Sequence, residues 1–268
     1  MSEIDRSGHI KQTSNGVKLG GIQKTTLIDF PGRIAATIFL IGCNFRCPFC
    51  YSAELVLPDK IKTHPKISEK YFFDFLKKRK GLLEGVCLTG GEPTLNKDLP
   101  QFIKKIRKLG FLIKLDTNGS NPKMLKKLIG GKLAKRDSLS SLTSLPQSGS
   151  SLIDYVAMDI KAPLNAKNYN KATGIKNDLK KIKKSIEIIK KSGLDYEFRT
   201  TVVPGIHIEK DIIQIAKDIS PAKRYYLQNF RPEKTLDPDF VKIKPYSKEY
   251  LSEIQKTIAP FFEICQIR

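Results

Sequence analysis

An alternation limits most strongly what this chain can fold into. Short β-branched or apolar runs recur at 34–40, 86–88, 112–115, 155–158, 198–203, 225–227 and 262–267. Such runs, bounded by turn residues, read as buried strands. Between them lie apolar stripes with the three-to-four spacing of half-buried helices. Ser68 opens one that carries Tyr71, Phe72, Phe75 and Leu76 and stops at Gly81. Asp98 opens one with Phe102, Ile103, Ile106 and Leu109, ending at Gly110. Asn121-Pro122 opens a third with Met124, Leu125, Leu128 and Ile129, ending at Gly130. Asn177 or Asp178 opens a fourth with Leu179, Ile182, Ile186 and Ile189, ending at Gly193. Ile212, Ile215, Ala216 and Ile219 mark a fifth, and Ser247 opens the last with Tyr250, Leu251, Ile254 and Ile258. Side-chain caps in front and glycines behind are what helix ends need, because the terminal N–H and C=O groups lack partners. Strands alternating with helices form βαβ units on a parallel sheet. About six such units are expected, fewer than the eight of a closed barrel. The predicted fold is therefore α/β, a partial, open (β/α)6 TIM-like barrel.

Residues 1–20 are polar and read as a flexible lead-in, leaving 21–268 as one domain. Within it, 131–151 is rich in Ser and Leu, low in complexity, and reads as a surface insertion. Hydrophobic residues at 40% and charged residues at 28% suit a soluble globular chain. No apolar run is long enough to span a bilayer, and the start has no apolar signal core, which places the protein in the cytoplasm. The formal net charge is +21. The lysines are spread over many helices rather than gathered in one block, so solvated lysine faces explain them better than a nucleic-acid partner does. The densest stretch, 161–191, is where an acidic partner would be sought first.

Three of the five cysteines, Cys43, Cys47 and Cys50, sit in IGCNFRCPFC. An odd count with a cluster points to metal binding and not to a disulfide framework. Four cysteines would close a zinc or iron–sulfur site; three leave one metal position open to a substrate. A zinc site would need a fourth ligand, yet His9, His64 and His207 all lie outside the loop. Cys87 and Cys265, single in apolar segments, read as core thiols. The cysteine loop follows the strand at 34–40, which puts it at the strand's C-terminal end, the functional face of such folds. The other polar motifs do the same: Gly90-Gly91-Glu92-Pro93, Asp116-Thr117-Asn118-Gly119, Met158-Asp159-Ile160-Lys161 and Gln228-Asn229-Phe230. Arg199 lies within the fifth strand, and His207 falls near the same face. Singly, each motif could be a turn or an ordinary surface ion pair. Converging on one cavity beside an open cluster, they form a constellation.

Cys43-x3-Cys47-x-Phe49-Cys50 resembles the signature of the radical S-adenosylmethionine (SAM) superfamily. The resemblance runs from Gly21 to about Pro232. Gly21-Ile22-Gln23-Lys24, Asp29-Phe30-Pro31-Gly32-Arg33, GGEP, DTNG and MDIKAP resemble the glycyl-radical-enzyme activating group, with anaerobic ribonucleoside-triphosphate reductase activating proteins the nearest in look. The resemblance implies a radical SAM barrel with a [4Fe–4S] cluster on the three cysteines and SAM on the fourth iron. It also implies Phe49 against the adenine, Gly90, Gly91 and Glu92 toward the methionine amino group, and Arg199 toward its carboxylate. Asp116, Thr117, Met158 and Asp159 match positions that hold a monovalent cation, and Lys161 matches a lysine nearby. Reductive SAM cleavage would give methionine and a 5′-deoxyadenosyl radical, with a low-potential electron donor and a glycyl-radical enzyme such as anaerobic ribonucleotide reductase as partners. No side-chain acid or base is required, so no catalytic residue is expected beyond the cofactor contacts. Two departures stand out: Tyr51 follows the last cysteine, and the sixth strand ends QNFRP without the histidine of the formate-lyase activator. Three alternatives stay open: a radical SAM enzyme acting on a small molecule, as 7-carboxy-7-deazaguanine synthase does, one acting on RNA, and a non-catalytic metal-stabilised binding module.

Overall fold

A computed structural model describes residues 16–130 and 151–268 of the chain. Most of the predicted lead-in and nearly all of the predicted insertion lie outside the described residues. A single sheet of eight strands runs in chain order from β1 to β8. β1 (Leu19–Thr26) pairs antiparallel with β2 (Ala35–Leu40). From β2 onward every pairing is parallel, through β3 (Gly85–Gly90), β4 (Leu112–Thr117), β5 (Tyr155–Asp159), β6 (Asp195–Val202), β7 (Ala222–Asn229) and β8 (Phe262–Ile267). β1 and β8 are the two edges and do not pair, so the barrel is open, as predicted.

Helices cover the outer face at each crossover. The first crossover carries α1 (Ala53–Val56), α2 (Pro58–Thr63) and α3 (Glu69–Lys78), followed by α4 (Leu99–Lys108) and α5 (Pro122–Ile129). Then come α6 (Ala166–Thr173) with α7 (Leu179–Lys190), α8 (Glu209–Ile219) and α9 (Lys248–Ile258). The predicted caps hold at four helices: the side chains of Ser68, Asn121, Asp178 and Ser247 each accept a backbone N–H of the first turn. Asp98 makes no cap bond; its carboxylate accepts from the N–H of Gly16 instead, at 3.1 Å. Among the described residues no helix is long and apolar enough to cross a membrane.

The main core lies between the sheet and the helices, where Phe72, Leu76, Phe102, Ile106, Leu125, Ile186 and Ile215 pack against outward-facing strand residues such as Val86, Ile113 and Phe198. A second, small cluster fills the barrel's interior at the strands' N-terminal ends. There Phe30, from the β1–β2 turn, meets Ala35, Tyr155 and Ala157, with ring centroids of Phe30 and Tyr155 6.1 Å apart. Gly85 is a glycine because a Cβ there would come within 2.8 Å of the Phe30 ring. The DFPGR turn is thus structural at three of its positions. Phe30 closes the barrel floor, Asp29 takes the Thr37 hydroxyl, and Arg33 pairs with Glu84 at 2.7 Å. This cluster fills the interior at one end of the barrel; the other end is formed by the strands' C-terminal ends.

Candidate active site

At those C-terminal ends lies a cavity of about 300 Å³. Cys43, Cys47, Cys50, Phe49, Gly90, Gly91, Asp116, Thr117, Asp159, Lys161 and Arg199 all line it, so residues 156 positions apart in the chain meet in one place. Glu92 and Met158 do not line it.

The cysteine loop has no secondary structure of its own and is held from several sides. The N–H of Gly91 donates to Leu40 O at 2.8 Å, and that of Glu92 to Gly42 O at 2.7 Å. A Cβ on Gly91 would fall 2.1 Å from Gly42 O, and one on Gly90 2.4 Å from Leu40 N. The glycine pair is therefore fixed by close backbone approach, which only glycine allows. From α6, Thr173 O accepts the N–H of Arg46 at 2.7 Å, while the Arg46 guanidinium donates to the carbonyls of Cys43 and Phe45 at 2.7 and 2.8 Å. From the segment after β7, the N–H of Asp237 donates to Pro48 O at 2.9 Å. The N–H of Arg231 donates to the Tyr51 hydroxyl at 2.8 Å, and the Tyr51 ring stacks on Phe230.

Glu92 was expected at the methionine amino group; its side chain is instead a fully buried strut. It accepts from the N–H and hydroxyl of Thr94, from the Thr117 hydroxyl at 2.8 Å and from the N–H of Asn118 at 2.6 Å, tying the GGEP turn to the DTNG turn. Burial raises its carboxyl pKa against the pull of those donors. Asn118 in turn reaches Asn44 of the cysteine loop at 3.1 Å.

A buried ion network forms one wall. Arg199 Nε lies 2.9 Å from Asp159 Oδ1 and its Nη2 3.2 Å from Asp116 Oδ2. Lys161 takes the other Asp159 oxygen at 2.9 Å, and Lys114 takes the other Asp116 oxygen. Arg199 and Lys161 hold Asp159 far below the usual carboxylate range, and the aspartate raises Lys161 in return. Beneath them Glu197, wholly buried, accepts Arg268 at 3.0 and 3.2 Å and the Tyr155 hydroxyl at 2.8 Å. At the positions matched to a monovalent cation, Arg199 bridges Asp116 and Asp159, and the Thr117 hydroxyl is given to Glu92. Lys114, Glu197 and Arg268 went unforeseen. For the first two the signal was parity, since Lys114 sits two residues before Asp116 and Glu197 two before Arg199, on the same strand face.

His207 is also buried, beside the cavity and not in it. Its Nδ1 accepts the N–H of Val203 at 3.1 Å, so Nε2 carries the hydrogen donated to Lys161 O at 2.8 Å. Its ring meets Phe49 edge-on at 6.4 Å. It backs two predicted site residues at once. Cys87 faces the interior between Lys114 and Asp116, and Cys265 is half-buried on β8.

The three cluster-loop thiols are raised by burial, Cys43 and Cys47 to about 12. Among the described residues no three His, Cys, Asp or Glu side chains converge on a position for a single ion. In a cluster each thiolate takes its own iron, so three cysteines can serve one without meeting at a single point.

The profile of the radical SAM superfamily matches residues 37–219. The chain belongs to that superfamily. A protein of Methanocaldococcus jannaschii, provisionally named a glycyl-radical enzyme activating enzyme, is 32% identical over 93% of this chain and 95% of its own length. Of solved structures, Escherichia coli QueE superposes with a TM-score of 0.53 at 15% identity, covering 93% of each chain. Streptococcus suis SuiB bound to SAM superposes with a TM-score of 0.59 at 16% identity over 84% of this chain, which spans 48% of that structure. Both likenesses are of fold. Membership of the superfamily implies SAM and a [4Fe–4S] cluster, and the three-cysteine donor set on an open cavity fits them.

Proposed function

We propose that this protein is a glycyl-radical-enzyme activating enzyme, with the cluster on Cys43, Cys47 and Cys50. The observation that carries the reading is the cavity itself: three cysteine thiols at the mouth of a short open barrel, beside a guanidinium fixed by two aspartates. The M. jannaschii relative, similar over nearly all of both chains, supports the activator assignment. When bound, the reduced cluster and SAM supply methionine and a 5′-deoxyadenosyl radical.

The chain's own residues prepare that chemistry. The loop thiols, raised by burial, give up their protons as they ligate iron, and the charge of Lys161 eases this at Cys47. Arg199, oriented by Asp116 and Asp159, would pair with the methionine carboxylate. The backbone of Gly90 and Gly91 would meet the methionine amino group, and Phe49, backed by His207, would lie against the adenine. The shut floor keeps water from reaching the interior from below. A low-potential donor supplies the electron, and the partner is a glycyl-radical protein of the anaerobic ribonucleotide reductase type.

The test is anaerobic reconstitution with iron and sulfide, then SAM and a strong reductant. Wild type is expected to release 5′-deoxyadenosine and Cys47→Ala to release none. One zinc per chain without iron, or a formed cluster with no nucleoside, would overturn the reading.

A further inference from the structure

Arg268 follows β8 and does not line the cavity, yet its side chain is fixed on two sides. Its guanidinium carbon lies 3.4 Å from the centre of the Tyr226 ring of β7, and the fork reaches past that ring to β6. There Nη1 and Nη2 meet the two oxygens of Glu197 at 3.0 and 3.2 Å. A planar fork on a carboxylate, stacked on an aromatic face, is a geometry that arginine provides and lysine does not. Glu197 is wholly buried, and two residues further along the same face of β6 stands Arg199. Arg199 Nη1 is 3.8 Å from Glu197 Oε1, too far for a hydrogen bond. The oxygen that Arg199 fails to reach is the one that Arg268 Nη1 holds.

Two arginines thus compete for one buried carboxylate, and Arg268 has it. The outcome bears on Arg199, whose Nε and Nη2 face Asp159 and Asp116 on the cavity wall. Without Arg268, Glu197 would keep only the Tyr155 hydroxyl as a close donor, and a buried carboxylate so poorly paired is costly. Arg199 Nη1 would close on Glu197, and the guanidinium would turn away from the cavity. Charge points the same way. Among the described residues the ion-paired chain joins Lys114, Lys161, Arg199 and Arg268 to Asp116, Asp159 and Glu197, four cations to three carboxylates. One positive charge is left for an anionic group of a ligand, and Arg268 supplies it from outside the cavity.

We propose that Arg268 is a positioning residue for SAM: by holding Glu197 it keeps the Arg199 guanidinium turned to the cavity, with a positive charge to spare for the methionine carboxylate. The inference rests on the reading that Arg199 pairs with that carboxylate, and adds the residue that keeps Arg199 free to do so.

The experiment uses the reconstituted holoenzyme without reductant, so that SAM binds and is not cleaved. Equilibrium dialysis with radiolabelled SAM gives the Kd, and iron analysis counts the loaded protein. Arg268→Gln should raise the Kd about tenfold at wild-type iron content, the loss of one charge-assisted hydrogen bond. Glu197→Gln, which removes the competing charge, should bind SAM at least as tightly as wild type. Glu197→Gln combined with Arg268→Gln should return the Kd to within about twofold of wild type. A purely structural role would lower iron content or melting temperature and leave the Kd of the loaded protein unchanged. An unchanged Kd in Arg268→Gln, or a double variant as weak as Arg268→Gln, overturns the inference alone. Should Arg268→Gln take up no cluster, Glu197→Gln decides by itself, and a Kd raised about tenfold there overturns the inference. An unchanged Kd in Arg199→Gln overturns the reading of Arg199, and this inference with it.

Discussion

Gly91 shows how little room the cluster loop has. A methyl group there would press on Gly42 O, and backbone on both sides leaves nothing soft to move. Gly91→Ala should therefore fold yet take up far less iron on reconstitution than wild type, as iron analysis of the purified protein would show. His207 carries a different kind of constraint. Burial holds its pKa down to about 4 against a usual 6.5, with Asp211 pulling up and Lys161 and Lys171 pushing down. Between those values the unfolded chain binds a proton that the native ring refuses. Stability should thus fall as pH drops through that window, by about 1.4 kcal/mol per pH unit from this residue. Melting temperatures from pH 7.5 to 5 should fall less steeply in His207→Asn, whose amide keeps an acceptor without titrating. The cysteines, the glycine pair and Arg199 were legible because their chemistry is tied to motif. Glu92 and His207 were not: a carboxylate in a motif and a histidine near a strand end look the same in sequence whether they face a ligand or brace a loop. Only the partners at Thr94, Thr117, Asn118, Val203 and Lys161 decide.

Among elements, β2 to β8 and the helices α3, α4, α5, α7, α8 and α9 were readable because apolar runs and three-to-four stripes are signals of burial. β1 was not. Its sequence, LGGIQKTT, has two glycines and a polar second half, and its burial pattern is mostly half-exposed, as befits an edge strand. α6 was missed for a related reason: AKNYNKAT buries only Tyr169, Ala172 and Thr173, too few for a stripe. Yet both elements serve the site. α6 presents Thr173 O to the cysteine loop, and β1 leads into the turn that carries Phe30. Phe30→Ala should destabilise the fold by about 3–5 kcal/mol, the usual cost of emptying an aromatic site. Urea unfolding would measure it. SAM cleavage at low temperature should persist, because Phe30 lies at the opposite end of the barrel from the cavity.

At the scale of the molecule, the +21 charge resolves into many solvated lysines. Helical pairs such as Lys181–Asp178, Lys184–Glu187 and Lys256–Glu253 have both partners more than half exposed, where ion pairs contribute little and salt screens them. The core is one continuous cluster between sheet and helices, to which the cysteine loop contributes only Phe45, Cys47 and Phe49. A Cys43→Ser, Cys47→Ser, Cys50→Ser triple variant should therefore melt cooperatively within a few degrees of the metal-free wild type, as calorimetry would show. In this it differs from small zinc domains, whose chains fold only around their ion. The bracing of the cysteine loop then sets an order of events during synthesis. Cys43 is made before the groups that shape its loop, which arrive with Gly91, then Thr173, and last with Asp237. The three thiols acquire their arrangement only after the segment at Asp237 has been made and folded, so iron and sulfide must be delivered to an assembled barrel and not to a nascent one.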